Sequence, residues 1–273
     1  MGTLMHDLNP PTSRSPADQA DGLRRLFTAP RQRIVPLVAN PMVENSGVVL
    51  ERMATALAGL GANTLLVDAA DTSPDAHEMA DIDLAACVEP LGDKVHYLAA
   101  RGLPLRHVNA RGSAEAWLLA LTQAAPRADV ILLHATARDL VRLLGHRPVR
   151  PVLMASIDGN SLTDAYTSMK LLSQRSQLLS FDLLVASRTH GKQAQRIAER
   201  LAQTGDIFLG TVLRAFAGVD CSRSVEAPVD PMLRRLATEQ LLNDTADDLP
   251  VLAPAERVAM PLQATGALSA LLY

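Results

Sequence analysis

Aromatic residues are scarce in this chain of 273 residues, at 3% of the total, with a single tryptophan. A core must therefore be built from Leu, Val, Ile and Ala, and a hydrophobic content of 48% supplies enough of them for a globular protein. Cysteine is nearly absent too. Cys87 and Cys221 lie far apart and fit no zinc or CxxC spacing, which excludes a disulfide scaffold and reads as two reduced thiols. No apolar run reaches the roughly 18–20 residues that a membrane span requires. The start, MGTLMHDLNPPTSRS, has an acid and prolines where a secretory signal carries basic and then apolar residues, so the expected location is the cytoplasm. An excess of positive charge is also missing. The formal net charge of −3 argues against a nucleic-acid binder with a broad basic surface. Without GxGxxG, GxSxG or an acidic cluster, the chain does not read as a dehydrogenase or an unrelated hydrolase.

What is present alternates between two kinds of element. Compact apolar runs at 34–39, 64–67, 130–133, 152–156, 183–186 and 207–213 have the form of buried parallel strands. Helical spacing predicts helices over 49–60, 113–125, 140–144, 161–174, 192–203 and 231–242. Gly61 is the expected C-cap of the first, and Ser161 with Asp164 resembles a capping box. Pro36 is awkward inside a strand and predicts a bulge or a displaced strand. Residues 69–112 are less regular, with short helices expected at 84–88 and 94–99 and a strand at 105–108. The βαβα order predicts a doubly wound, mostly parallel α/β sheet flanked by helices, in a single domain over residues 30–242.

On either side of that domain the composition changes. Residues 1–15 read as an unstructured leader. Residues 16–29 read as a short amphipathic helix: Ser15 can cap it, Pro16 suits its first turn, and Ala20, Leu23, Leu26 and Phe27 share one face. Residues 243–273 read as an extended tail ending in LQATGALSALLY, which carries no Lys or Arg to meet anionic lipid. Docking of this terminus on the body is the favoured reading, with membrane contact at most transient or through partners.

Three stretches carry a resemblance. DQADGLRRL, residues 18–26, resembles the N-terminal DQAxxLR motif of MinD/ParA-type P-loop ATPases of the flagellar-number branch (FlhG/FleN-like), with Asp18, Gln19, Ala20, Leu23 and Arg24 matching position by position. SLTDAYTSMKLL, residues 161–172, is similar to the S-[IL]-TDAY segment of that branch, and the first βαβ frame, ending in ALAGLGANTLLVD, matches as well. The resemblance covers residues 17–241. It implies a P-loop NTPase fold, and a segment that binds and stimulates a signal-recognition-like GTPase of the FlhF type.

The resemblance fails at the chemistry. The family loop xKGGxGK[ST] overlays residues 40–47, where its two lysines fall at Pro41 and Ser46 and its Mg²⁺-binding hydroxyl at Gly47. Its glycines fall at Met42, Val43 and Asn45. The acid after the second strand survives as Asp68, its companion is Ala70, and the Walker B aspartate is His134. A phosphate cradle needs glycine-permitted amides and a lysine. Pro41 has no amide proton, Val43 resists left-handed geometry, and Glu44 would repel a triphosphate.

The expectation is a degenerate nucleotide site at Pro41, Ser46, Gly47, Asp68 and His134, with no catalytic residue and no metal. A lone His closing a buried strand reads first as a satisfied structural residue, and Asp68 as a strand-end carboxylate. No cofactor is expected. ATP and Mg²⁺ enter only under an alternative reading, a divergent ATPase borrowing Lys94 or Lys170. The favoured reading is a non-catalytic MinD-like regulator of flagellar biosynthesis, partnered by the FlhF-type GTPase, with no nucleic acid.

Overall fold

The computed structural model describes residues 31–187, 192–224, 227–242 and 249–250. Its sheet is built around β1 (Arg31–Val38), which pairs in parallel with β5 (Val130–Ala135) on one side and β6 (Val152–Ser156) on the other. Outward from β5 come β2 (Thr64–Asp68), β4 (Val95–Ala99) and the antiparallel edge strand β3 (Glu89–Pro90). Outward from β6 come β7 (Ser180–Ser187) and β8 (Val212–Asp220), both parallel. A short β9 (Leu249–Pro250) pairs antiparallel with the start of β1. The architecture is the expected doubly wound, mostly parallel sheet.

Strand alternation sends side chains to two cores. Ile34 and Val38 of β1 join Ile131 and Leu133 of β5 on one face, and Val35 and Leu37 join Val130 and Leu132 on the other. The first face is covered by α2 (Leu103–Arg106), α3 (Glu115–Ala124), α4 (Ala137–Leu144), α5 (Gly159–Ser176) and α6 (Lys192–Leu209). The second is covered by α1 (Ser46–Gly59) and α7 (Pro231–Leu241). Burial on both faces is why these strands are apolar throughout rather than alternating.

Polar groups lock the second face. Asp182, fully buried in β7, accepts from the Ala215 amide and Gln240 Nε2 and lies 3.0 Å from Arg150 Nε. Arg33 donates to the Gln240 and Leu241 carbonyls, meeting the negative end of α7 from the centre of the sheet.

Several local expectations are corrected. The helix expected at 94–99 is replaced by β4, which starts at Val95 and buries Val95 and Leu98 on opposite faces. The strand expected at 105–108 is replaced by the single turn of α2, with Pro104 in its first positions. The strand expected at 207–213 begins only at Val212, because α6 continues to Leu209. Ser161 does not cap α5. Asp158 does, accepting from the amides of Asn160 and Ser161. Pro36 causes no bulge, since its register with Leu133 continues unbroken. The amides of Arg33 and Ala39 point to β5, so the missing amide of Pro36 lies on the other side, where pairing with β6 starts only at Leu37. The segment 16–29 and all of the tail except β9 lie outside the described residues. Among those described, no helix is long and apolar enough to cross a membrane.

The turn after α1 has a sharp conformational demand. Ala62 N bonds Leu57 O and Gly61 N bonds Ala58 O, a Schellman closure with Gly61 at φ +97°. Nothing lies within 4 Å of a Cβ added there, so any cost is backbone strain alone. Gly61→Ala should lower stability by about 1–2 kcal/mol, measured by urea unfolding followed through Trp117, the chain's one tryptophan, which is buried.

Candidate functional site

The loop from β1 to α1 crosses the C-terminal edge of the sheet at the point where the chain's strand order reverses, the place where α/β sheets bind ligands. Its sequence closes it on itself. Asn40, buried at the end of β1, donates through Nδ2 to Met154 O (2.8 Å), Ser161 O (2.9 Å) and Ser161 Oγ (3.1 Å). Its Oδ1 accepts from the Met42 amide at 3.0 Å. The Val43 amide bonds Asn40 O and the Ser46 amide bonds Val43 O. Pro41 has no amide proton, so four of the six positions from 41 to 46 have no amide free for a ligand. The Val43 side chain, 3% exposed, is tucked into the core beneath α1.

Ser46 is the first residue of α1 and half-buried, and Gly47 next to it is exposed. No side chain caps this helix start and its first turn holds no acid. In front of the loop lies a cleft of about 870 Å³, lined by Met42, Glu44, Ile157 and Asp158 among others. No Lys or Arg lines it among the described residues. Lys94 and Lys170 do not help. Lys94 Nζ bonds Gly61 O at the opposite edge of the sheet, and Lys170 is exposed eleven positions along α5.

Behind the loop, parity assembles a second group. Asp68 ends β2 and is the register partner of His134 in β5; both face α1, as does Tyr97 of β4. His134 Nδ1 lies 2.6 Å from Asp68 Oδ1, which also accepts from the Ser73 hydroxyl, while Tyr97 OH donates to Oδ2 at 3.4 Å. Burial pushes the Asp68 carboxyl up, but the bond and charge of His134 outweigh it with help from Ser73 and Tyr97, and its pKa falls below the ordinary 3.8. Burial and the same carboxylate push the Tyr97 phenol up.

Asp68 and His134 are thus not the two isolated residues of the sequence reading but one hydrogen-bonded pair. His134 is satisfied only in part, since Nε2 is buried with no hydrogen-bond partner among the described residues. Sequence reasoning also missed Ser73 and Tyr97. Ser73 follows β2 in a turn-rich stretch, and Tyr97 was hidden by reading its strand as a helix. Asp18, Gln19, Ala20, Leu23 and Arg24 lie outside the described residues, so their placement is not part of this geometry.

No protein-family model and no curated protein matches the chain. Solved structures do. A MinC:MinD cell division complex from Aquifex aeolicus aligns at TM-score 0.52 and 14% identity, covering 76% of this chain and 94% of that one. An McdA–ATP complex from Cyanothece aligns at 0.55 and 11%, covering 77% and 96%. Cobyrinic acid a,c-diamide synthase from Mycobacterium smegmatis aligns at 0.52 and 15%, covering 77% and 94%. The chain has the MinD/ParA P-loop NTPase fold.

At these identities the likeness is one of fold, and whether this MinD/ParA frame suits a nucleotide is decided by its own residues. A triphosphate with Mg²⁺ needs free loop amides, a lysine and oxygen ligands for the metal. Here the amides are largely bonded within the loop, no lysine lines the cleft among the described residues, and Asp68 is held by His134 and Ser73. The residues present do not fit that group.

The lowered pKa of Asp68 gives a pH signature. Its pairing contributes stability fully above 3.8, and that contribution is lost as pH falls through the depressed folded-state value. Asp68→Asn should cost about 1–2 kcal/mol at neutral pH, and the gap from wild type should close in acid. Urea titrations by Trp117 fluorescence at several pH values measure it.

Proposed function

We propose that this protein is a non-catalytic, MinD-like regulator of flagellar biosynthesis that binds and stimulates an FlhF-type GTPase through residues 16–29. The observation that carries the non-catalytic part is the self-bonded loop. Asn40, Met42, Val43 and Ser46 use among themselves the groups a phosphate cradle would offer. The partner part rests on the resemblance of Asp18, Gln19, Ala20, Leu23 and Arg24 to the DQAxxLR motif. The fold is compatible with both.

A second reading, a divergent ATP-binding member controlling placement of a flagellar or other polar assembly, is favoured by one observation. The start of α1 at Ser46 is met by no capping side chain, so the positive end of its dipole remains available to an anion.

Two measurements separate the readings. Titration of the full chain with fluorescent ATP and Mg²⁺ should give no saturable binding in the micromolar range; saturation there would support the second reading. GTP hydrolysis by an FlhF-type GTPase should rise on adding the full chain and fall back with Gln19→Ala. Unchanged turnover in both cases would remove the activator role.

A further inference from the structure

Because Asp158 caps α5, the Asp164 of SLTDAYTSMKLL has no part in the cap expected of it. It lines instead a cavity of about 300 Å³ at the C-terminal edge of the sheet. The ends of β1, β2 and β5 and one flank of α5 enclose it, through Ala39, Ala70, Thr136 and Thr167 among others. Of its lining residues only Pro41 also borders the cleft in front of the loop. From this geometry we infer that the cavity binds a small zwitterion, its ammonium at Asp164 and Ser168 and its carboxylate at Arg138 and the first amides of α4.

Helical spacing divides α5 into two stripes. Ala165, Met169 and Leu172 enter the core, while Asp164, Thr167, Ser168 and Leu171 share the flank that borders the cavity. Asp164 is half-buried and takes part in no hydrogen bond or ion pair among the described residues. Burial pushes its carboxyl up, and no donor or positive charge brings it back down. Ser168, one turn further on, is 9% exposed. Its hydroxyl has no partner among the described residues, yet it is not sealed in like the unpaired Ser176 hydroxyl. It opens on the cavity that the residue lines. Asp71, exposed after β2, brings a second unpaired carboxylate to the same wall set. Acceptors without donors are what an ammonium requires.

The opposite charge comes from α4. Arg138, its second residue, lines the cavity with an exposed guanidinium that meets no acid among the described residues. The amides of Ala137 and Arg138 belong to the first turn and have no acceptor there either. The Thr136 hydroxyl does not serve them, since it bonds the Asp139 amide and carboxylate. Asp139, the acid of this turn, is engaged by Thr136 and Arg142. The positive end of α4 is therefore left to a carboxylate from outside.

Each simpler ligand meets an objection. An anion alone would face Asp71 and Asp164, and a cation alone would face Arg138. No group of three or more His, Cys, Asp or Glu among the described residues converges as metal ligands would. The volume is at the small end for a ligand site, which limits the body between the two charges to a short chain. This inference does not rest on the regulatory reading, and neither falls with the other.

Glycine, β-alanine and γ-aminobutyrate carry both charges at increasing separation, whereas butyrate and butylamine carry one each. Titrated into the full chain and followed by ligand-observed NMR, at least one of the three zwitterions should bind in a saturable way. Butyrate and butylamine should bind about tenfold more weakly or not at all. Asp164→Asn and Arg138→Gln should each weaken the zwitterion about tenfold or more. Both positions are open to solvent, and unchanged Trp117 emission checks that the fold is kept. Failure of all three zwitterions to saturate would overturn the proposal. So would butyrate or butylamine binding as tightly as the best of them, because the site would then not read both charges. Zwitterion binding that survives either substitution would place the ligand elsewhere and end the proposal.

Discussion

With β1 at the centre of a parallel sheet, flanked by β5 on one side and β6 on the other, the chain has to leave it over the C-terminal edge to reach α1. Residues 40–47 therefore stand at the one position in this fold where the edge opens between strands running to opposite sides. What those residues do decides whether the edge is a site or a seam. Here Asn40 reaches across to Met154 and Ser161 and ties the ends of β1, β6 and α5 together. The same residue receives the Met42 amide, so the tie that joins the elements also folds the loop inward. A loop shaped this way supports the sheet edge and leaves little backbone for a ligand.

The electrostatics behind the loop follow the same logic. Asp68 and position 134 are register partners on adjacent strands and face the same helix. Two carboxylates there would repel each other at close range unless a cation stood between them. An imidazole at 134 converts the repulsion into a hydrogen bond and leaves Asp68 ionised without a metal. The self-bonded loop and a histidine at 134 are thus physically matched. A second acid at 134 would need a cation beside it, whereas a histidine there gives Asp68 a donor of its own.

The elements that were legible in the sequence are those buried on both faces. β1, β2, β5, β6 and β7 show as continuous apolar runs, because neither side of these strands meets water. Near the edge the signal degrades. β4 is buried at Val95 and Leu98 but exposed at His96, and its five residues were too few to reveal a period of two. The end of α6 misled in the opposite direction, since Ile207 and Phe208 look like strand residues yet are 64% and 70% exposed on a helix. For the site, the residue types of the loop could be compared position by position, whereas the loop's internal hydrogen bonds and the contact between Asp68 and His134 could not be read. Those residues are 66 positions apart, and only the register of β2 on β5 brings them together.

The closed loop is also set apart from the other end of the central strand. β1 starts at Arg31, at the edge of the sheet opposite to the loop. Eight strand residues separate the two ends, about 26 Å. The polar groups that fasten the far end are different ones: Arg33 holds the last carbonyls of α7 there, while Asn40 ties the loop to β6 and α5 at the near end. Each end of β1 is therefore closed by its own hydrogen bonds, and what residues 40–47 do with their backbone leaves the fastening at Arg33 unchanged.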